Sequence, residues 1–250
     1  MIELKSPREL GIMERAGKIA ARLLQELEQK IRPGIRTIDL DIIATDFIKA
    51  NEAVPAFKGY RGYPATICAS VNEEVVHGIP GGRRLKSGDV ISIDVGVKLE
   101  GYFADTARTF PVGEISRESW RLLHVTEDAL RRAIGVVKTG VPLSEISRVI
   151  QTYVESNGFG VVRQFVGHGI GAQLHEEPQI PNFLPAQGTI LKEGMVLAIE
   201  PMVTQGHYEV EILSDGWTAV TKDRSLAAHF EHSIAVTSNG ARILTQHVPK

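Results

Sequence analysis

The sequence predicts an α+β fold of two similar halves, each built from helices and antiparallel strands. The main evidence is an internal repeat: the segment Leu85–Asp94, LKSGDVISID, recurs 106 positions later as LKEGMVLAIE at Leu191–Glu200. The same offset relates Gly34 to Gly140, so the repeat extends well beyond one segment. In each half, helical periodicity is followed by runs rich in β-branched residues, which predicts helices and then strands.

One domain covering residues 1–250 is expected, with the related halves at roughly 7–112 and 116–245. A chain of 250 residues could form one large domain or two small ones. No linker rich in proline, glycine or serine divides the halves. We therefore expect a single domain with internal pseudo-symmetry.

Two helices are expected in each half. Ser6 and Glu9 form a capping-box pattern with Pro7 at the first helical position, so the first helix should begin at Pro7 and end before Pro33-Gly34. The other three helices are expected at about 37–51, 116–137 and 144–157.

Strand signals fill the remainder of each half. Residues 90–97 are rich in β-branched side chains, and residues 103–110 follow a turn through Leu99-Glu100-Gly101. Asp215-Gly216 predicts a hairpin turn, and Asn239-Gly240 predicts a turn after a strand at 233–237. Such short connections join antiparallel strands, so the predicted sheets are antiparallel.

The composition is that of an ordinary globular protein, with 43% hydrophobic and 23% charged residues. A net charge of −2 gives no electrostatic case for nucleic acid or a membrane surface, and no apolar run reaches membrane-spanning length. Cys68 is the only cysteine, which excludes an internal disulfide and a thiolate zinc cluster. Together with a charged N-terminal segment, this predicts a cytoplasmic protein.

Asp94 and Asp105 are the first candidate site residues. If the hairpin turn is centred between Leu99 and Glu100, the two carboxylates face each other with their Cβ atoms ~5 Å apart. Like charges in that position repel, so the alternative is a shifted register or a bulge that turns one of them to solvent. The apolar residues on both sides of Asp94 favour a buried pair.

The repeat adds a third acid, because Asp94 and Glu200 occupy equivalent positions. If the halves pack about a pseudo-twofold axis, these two side chains should meet, and acids that meet in a core usually bind metal. The second half also contributes His168 between glycines, His175, and Glu231 before an apolar run. Each of these alone would more often be structural, so the argument depends on their occurring together.

Charge balance favours two metal ions. Asp94, Asp105, Glu200 and Glu231 carry four negative charges, and His168 would be a neutral ligand. One divalent ion would leave two buried negative charges, whereas two ions balance the set. Such ligands suit Mn(II), Fe(II), Co(II) or Zn(II). Two ions ~3.5–4 Å apart can share a water and lower its pKa, which predicts hydrolysis.

The chain resembles the type I methionine aminopeptidases over essentially its whole length. The motifs that carry the resemblance are His77-Gly78-Ile79-Pro80, Asp94, Asp105, Val166-Gly167-His168-Gly169-Ile170-Gly171, Ala198-Ile199-Glu200-Pro201 and Phe230-Glu231-His232. The resemblance implies the pseudo-symmetric pita-bread fold, with an antiparallel sheet core and helices outside. It also implies removal of the N-terminal methionine from nascent proteins when the second residue is small.

The resemblance implies a role for each site residue. The metal ligands would be Asp94, Asp105, His168, Glu200 and Glu231, holding two divalent ions (Co, Mn, Fe or Zn), with Asp105 and Glu231 bridging. A metal-bridging hydroxide would attack the scissile carbonyl, and Glu200 would shuttle the proton. His77 and His175 would contact substrate and intermediate. The methionine pocket would comprise Tyr60, Tyr63, Cys68, His77 and Trp217.

Three positions depart from the family's pattern. Phe57 replaces a residue that is often small in bacterial relatives, and Leu174 replaces a frequent phenylalanine. The two changes could compensate in pocket volume. His229 stands where glutamine is common, before the aromatic-Glu-His motif.

Two other functions are compatible with these residues. A proline-specific peptidase of the same fold, such as prolidase or aminopeptidase P, would use the same ligands, but those relatives usually carry an extra N-terminal domain. A non-catalytic binding protein would show a lost ligand, and all five are present. The expected partners are the N-termini of nascent polypeptides, with the ribosome surface as a further candidate. No nucleic acid or membrane contact is expected, and the protein is expected to be a monomer.

Overall fold

The helices begin and end close to the predicted positions. The computed structural model describes residues 2–185 and 188–246, in which the helices are α1 (Pro7–Lys30), α2 (Thr37–Ala50), α3 (Arg117–Gly135) and α4 (Ser144–Ser156). The predicted capping box of α1 is present: the Glu9 N–H donates to Ser6 Oγ, and the Glu9 carboxylate accepts from the Ser6 N–H at 2.7 Å. Among the described residues, no helix is both long and apolar enough to cross a membrane.

The rest of the regular structure consists mainly of strands, most of them short, with β4 and β5 the two long ones. The first half contains β1 (Val54–Pro55), β2 (Ile67–Val71), β3 (Glu74–Val76), β4 (Val90–Leu99) and β5 (Tyr102–Pro111), and a 3₁₀ turn at Tyr60–Gly62. The second half contains β6 (Gly160–Val161), β7 (Gly167–Gly169), β8 (Glu176–Ile180), β9 (Val196–Ile199), β10 (Met202–Thr204), β11 (Val210–Ile212), β12 (Ala219–Thr221), β13 (Ala227–His229), β14 (His232–Thr237) and β15 (Gly240–Ile243).

Two antiparallel sheets dominate, one in each half. In the first half β1, β4 and β2 are neighbours and β5 pairs with β4; in the second the order is β15-β14-β9-β7-β8. Smaller sheets are formed by β13-β10-β6 and β11-β12-β3. Buried apolar residues of α1 and α2 pack on the first large sheet, and those of α3 and α4 pack on the second. The site strands therefore lie between two hydrophobic cores.

Equivalent hydrogen bonds show that the two halves are built alike. The Gly34 N–H donates to the Leu85 carbonyl at 2.7 Å, and the Gly140 N–H donates to the Leu191 carbonyl at 2.9 Å. Both glycines have φ near +90°, a conformation that non-glycine residues rarely adopt. The repeat in the sequence therefore corresponds to a repeat in backbone geometry, as predicted.

The β4–β5 hairpin differs from the predicted register. Asp94 pairs with Ala107, and Asp105 pairs with Gly96, so the prediction that the two acids directly face each other is wrong. The cause is the turn, which consists of only Glu100 and Gly101, with φ of 47° and 91°. A two-residue turn with positive φ at both positions matches the twist of antiparallel strands. The hairpin is therefore centred between Glu100 and Gly101, one residue later than the predicted centre between Leu99 and Glu100. The two acids are instead diagonal neighbours on one face of the sheet.

Candidate metal centre and active site

The five predicted metal ligands come together in one cavity of about 160 Å³. Each is placed by a strand or a strand end: Asp94 by β4, Asp105 by β5, His168 by β7, Glu200 by the end of β9, and Glu231 by the connection from β13 to β14. Asp105, His168 and Glu231 are buried and offer one ligand atom each, all within 4.8 Å of one another. Glu200 Oε1 lies 3.6 Å from His168 Nε2, so it belongs to the same cluster.

The donor set fits metal cations. Among the described residues, Asp94 Oδ1, Asp105 Oδ1 and Glu231 Oε1 are buried oxygens without a hydrogen-bond partner. Burial raises the pKa of Asp94 to about 6 and that of Glu200 to about 7, and burial followed by repulsion from neighbouring acids raises the pKa of Asp105 and Glu231 well above the usual range. A group of acids that repel one another is stabilised by bound cations. The residues could therefore hold the metal predicted from their sequence pattern.

Hydroxyl groups hold the acids of the two halves in place. The Thr106 hydroxyl donates to the Glu231 carbonyl at 2.8 Å, and the Glu231 N–H donates to the Ala107 carbonyl at 2.9 Å. Further along, the Thr109 hydroxyl donates to the His229 carbonyl at 2.9 Å. These bonds join β5 to the segment 229–233 in the other half, so Asp105 and Glu231 are fixed relative to each other.

The two predicted catalytic histidines border the cavity. His77 has φ of 61° and packs edge-on against the ring of Phe165; burial, followed by the charge of His229, lowers its pKa to about 4. His175 as a whole is solvent-exposed. Its ring nevertheless packs toward the cavity, with its centroid 4.2 Å from that of the His168 ring. Burial of the ring, followed by His168, lowers the pKa of His175 to about 3. Both imidazoles are therefore neutral near pH 7.

The predicted methionine pocket also lies in this cavity. Its walls are mostly aromatic or apolar and comprise Tyr60, Tyr63, Cys68, Trp217, Phe57 and Leu174. The Tyr63 and Trp217 rings meet edge-on with centroids 5.1 Å apart. Burial raises the pKa of the Cys68 thiol, so this side chain is a neutral part of the wall. The pocket therefore joins an apolar wall to a cluster of acids.

Phe57 and His229, two of the three positions that depart from the family's pattern, both lie beside the site. A Cβ atom on Gly96 would lie 2.5 Å from the Phe57 ring, so Phe57 packs directly over the residue that pairs with Asp105. His229 is buried, and its Nε2 lies 3.6 Å from Glu200 Oε2. Phe57 therefore contributes bulk to the pocket, and His229 faces the carboxylate of Glu200.

Three residues near the site were not predicted. Asn182 is fully buried and donates from Nδ2 to the Glu200 carbonyl at 3.0 Å, and Arg61 and Phe165 lie at the border of the cavity. Phe165 directly precedes the glycine-rich segment around His168, and this position in the sequence is a signal that it lies near the site. Asn182 lies in a loop with no pattern of its own, so only the fold shows that it supports Glu200.

Comparison with known protein families agrees with this geometry. Residues 11–238 match metallopeptidase family M24. This chain belongs to metallopeptidase family M24. It is 56% identical to methionine aminopeptidase 1 of Bacillus subtilis over 98% of this chain and 100% of that protein. It is 52% identical to the methionine aminopeptidase of Clostridium perfringens, over 98% of this chain and 99% of that one.

Solved structures show the same fold. The crystal structure of methionine aminopeptidase from Thermotoga maritima superposes with a TM-score of 0.97 at 48% identity, covering 98% of this chain and 100% of that one. Prolidase from Pyrococcus furiosus superposes with a TM-score of 0.81 at 26% identity, but this chain spans only 65% of it. The predicted pita-bread fold and the predicted family are both confirmed. The protein is a hydrolase of the metallopeptidase class.

Proposed function

We propose that this protein removes the N-terminal methionine from nascent polypeptides whose second residue is small. The observation that carries the proposal is the shared cavity of about 160 Å³, in which an apolar wall adjoins four carboxylates and three histidines. Two relatives named methionine aminopeptidase match the chain at 56% and 52% identity along nearly its whole length, which supports this substrate class.

Two divalent ions, Co, Mn, Fe or Zn, would be held by Asp94, Asp105, His168, Glu200 and Glu231. Asp105 and Glu231 are the proposed bridging ligands, supported by their burial and by the hydroxyl bonds that join their strands. When bound, the ions would supply Lewis-acid activation of water and of the scissile carbonyl.

Glu200 is the proposed proton carrier. Its carboxylate faces His168 and His229, each at 3.6 Å, and its backbone carbonyl is held by Asn182. A carboxylate fixed in this way can accept a proton from the attacking water and return it to the departing amine.

His77 and His175 would contact the substrate and the tetrahedral intermediate as neutral imidazoles. Nδ1 of His175 lies 2.8 Å from the Tyr60 hydroxyl, which fixes the ring and leaves Nε2 for the reacting peptide. His77 is held between the rings of Phe165 and Trp217. A group that donates a hydrogen bond where charge develops lowers the barrier more than it tightens ground-state binding.

The methionine side chain would occupy the wall formed by Tyr60, Tyr63, Cys68 and Trp217. An unbranched thioether fits an aromatic pocket of this kind and makes favourable contacts between sulfur and ring edges. One methylene in such a pocket is worth only ~1–3 kcal/mol, so norleucine should replace methionine with a modest loss.

The test of specificity compares kcat/KM for Met-Ala, norleucine-Ala, Leu-Ala and Ala-Pro peptides. The proposal expects the order Met-Ala, then norleucine-Ala, with Leu-Ala and Ala-Pro far lower. Preference for Ala-Pro would reject methionine removal and assign the proline-specific branch. The metal requirement is tested by chelation, which should abolish activity, followed by addition of Mn(II), Fe(II) or Co(II), which should restore it. Full activity in a metal-free preparation would refute the two-metal site.

We further propose that the chain acts in the cytoplasm as one catalytic domain, residues 1–250, and as a monomer. A single buried cysteine supports a reducing compartment. The ribosome surface, where nascent N-termini emerge, is a further proposed contact. Sedimentation of the purified protein tests the monomer, and co-sedimentation with ribosomes tests the contact.

A further inference from the structure

The segment before α1 crosses onto the other half of the molecule, next to the loop at residues 171–176 that carries His175. The Lys5 N–H donates to the Gly194 carbonyl at 2.7 Å, which fixes the backbone of this segment to the turn before β9. The Lys5 side chain is only 3% exposed, which is rare for lysine. A lysine buried to this degree needs a partner: Lys5 Nζ lies 3.4 Å from the exposed carboxylate of Glu3, and its shorter contact is to the loop that carries His175.

Lys5 pairs with Glu176, the residue after His175. Lys5 Nζ lies 2.6 Å from Glu176 Oε2, and the Glu176 side chain is 14% exposed. The other carboxylate oxygen, Oε1, accepts from the Gln173 N–H at 3.0 Å. The Glu176 carboxylate therefore joins the backbone of Gln173 to the side chain of Lys5.

Gly171 makes room for this lysine. A Cβ atom at position 171 would lie 2.1 Å from Lys5 Cε and 2.5 Å from Lys5 Nζ. The Gly171 carbonyl also accepts from the Phe103 N–H of β5 at 2.8 Å. The last glycine of the segment around His168 is therefore explained by the passage of the Lys5 side chain, and the loop is anchored to the strand that carries Asp105.

We propose that Lys5 is a positioning residue for His175. Its ion pair with Glu176 fixes the loop 171–176, so that the His175 ring stays against His168 and the Tyr60 hydroxyl. A buried ion pair contributes little net stability, because desolvation offsets the attraction. Its contribution here is the orientation of a histidine at the reacting peptide, and this inference rests on the proposed function.

The experiment uses a double-mutant cycle of Lys5→Met, Glu176→Gln and the combined variant. Methionine keeps the unbranched stem over Gly171, and glutamine keeps an acceptor for the Gln173 N–H. For a Met-Ala peptide each single change should lower kcat by ~10-fold or more, with KM within about twofold and both metals retained. The combined variant should be no worse than the more affected single variant, because the pair acts as a unit.

A structural readout separates this inference from the proposed function. NMR of ¹⁵N-labelled histidine in the metal-free protein should show shifted His175 ring signals in Lys5→Met. The matched control is Lys18→Met, which breaks the pair between exposed Lys18 and half-buried Glu14 at 3.0 Å and should leave ring signals and kcat unchanged.

Unchanged His175 signals together with unchanged kcat in Lys5→Met would overturn the inference. So would a fall in kcat that merely followed a loss of metal or of thermal stability. If the wild-type protein did not cleave Met-Ala peptides, the proposed function would fail, while the ring signals would still decide whether Lys5 positions His175.

Discussion

Ser233 forms a two-way hydrogen bond with the backbone of Asp105 across the boundary between the halves. Its hydroxyl accepts from the Asp105 N–H at 2.9 Å and donates to the Asp105 carbonyl at 2.8 Å. Ser233 is fully buried, so no solvent can replace these bonds. Ser233 lies two positions after Glu231. It therefore ties the strand that carries Asp105 to the segment that carries Glu231.

Replacing Ser233 by alanine should destabilise the protein and weaken metal binding. The change leaves a buried N–H and a buried carbonyl of Asp105 without their partner, which costs about 1–3 kcal/mol. Urea denaturation of the metal-free protein measures the loss, and calorimetric titration measures metal affinity. The exposed turn residue Ser214 provides the control, since Ser214→Ala should change neither quantity. Wild-type stability in Ser233→Ala would contradict this account.

Asp105→Ala and Glu231→Ala should each reduce the number of metal ions bound, whereas Asp94→Asn should mainly lower affinity. A bridging ligand contacts both ions, and asparagine keeps one oxygen at position 94. Calorimetric titration with Co(II) gives stoichiometry and affinity for each variant. Asp128→Ala, on the surface of α3, should behave as wild type. Two ions bound by both alanine variants would refute the bridging roles.

His77→Ala and His175→Ala should lower kcat by about 10²-fold or more while both metals remain bound. Neither side chain is needed to balance the charge of the acids, and a contact made in the transition state lowers kcat and kcat/KM together. Steady-state kinetics and metal analysis of the same samples check this. His207→Ala removes a histidine whose side chain is 60% exposed and should leave turnover unchanged. Loss of metal from either site variant would make that histidine a ligand.

The pKa of Glu9 should rise in Tyr102→Phe. In the wild-type protein, hydrogen bonds from Tyr102 and then from Ser6 lower the pKa of Glu9 from 4.5 to about 2. A lowered folded-state pKa contributes stability above pH 4.5, and this contribution is lost as the pH falls toward 2. The phenylalanine variant should therefore lose less stability over that window than wild type.

An NMR titration of the Glu9 carboxyl, with denaturation at several pH values, measures both effects. Because Glu9 lies at the surface and is only half-buried, the change in stability should be small even though the change in pKa is clear. Tyr208→Phe, whose ring packs on Arg163 and His207, is the control. An unshifted Glu9 in Tyr102→Phe would reject the assigned cause.

The sequence predicts the meeting of the two halves because residues of one half recur at a constant offset in the other. Asp94 and Glu200 occupy equivalent positions in a repeated ten-residue segment, so a pseudo-twofold arrangement brings both to the same cavity. The helices were predictable from capping residues such as Ser6 and from apolar periodicity. These are local signals, and local structure here agrees with the final fold.

The failures have non-local or conformational causes. The hairpin register depended on whether Glu100 adopts positive φ, which its residue type does not favour. The hydroxyls of Thr106 and Ser233 and the amide of Asn182 act across segments that are distant in sequence. Lys5 lies in a charged N-terminal segment in which no pattern marks it, and only the packing over Gly171 shows its pairing with Glu176.

The order of the ligands along the chain has a consequence for synthesis. More than half of the chain separates Asp94 from Glu231, and β5 cannot exchange hydrogen bonds with Ser233 until that residue has been made. A growing chain that ends before Glu231 and Ser233 already contains Asp94 and Asp105. It still lacks the acid and the hydroxyl that lie beside them in the folded protein. A chain that has not reached β14 therefore lacks part of the predicted ligand set, so the complete set of predicted ligands exists only near the end of synthesis.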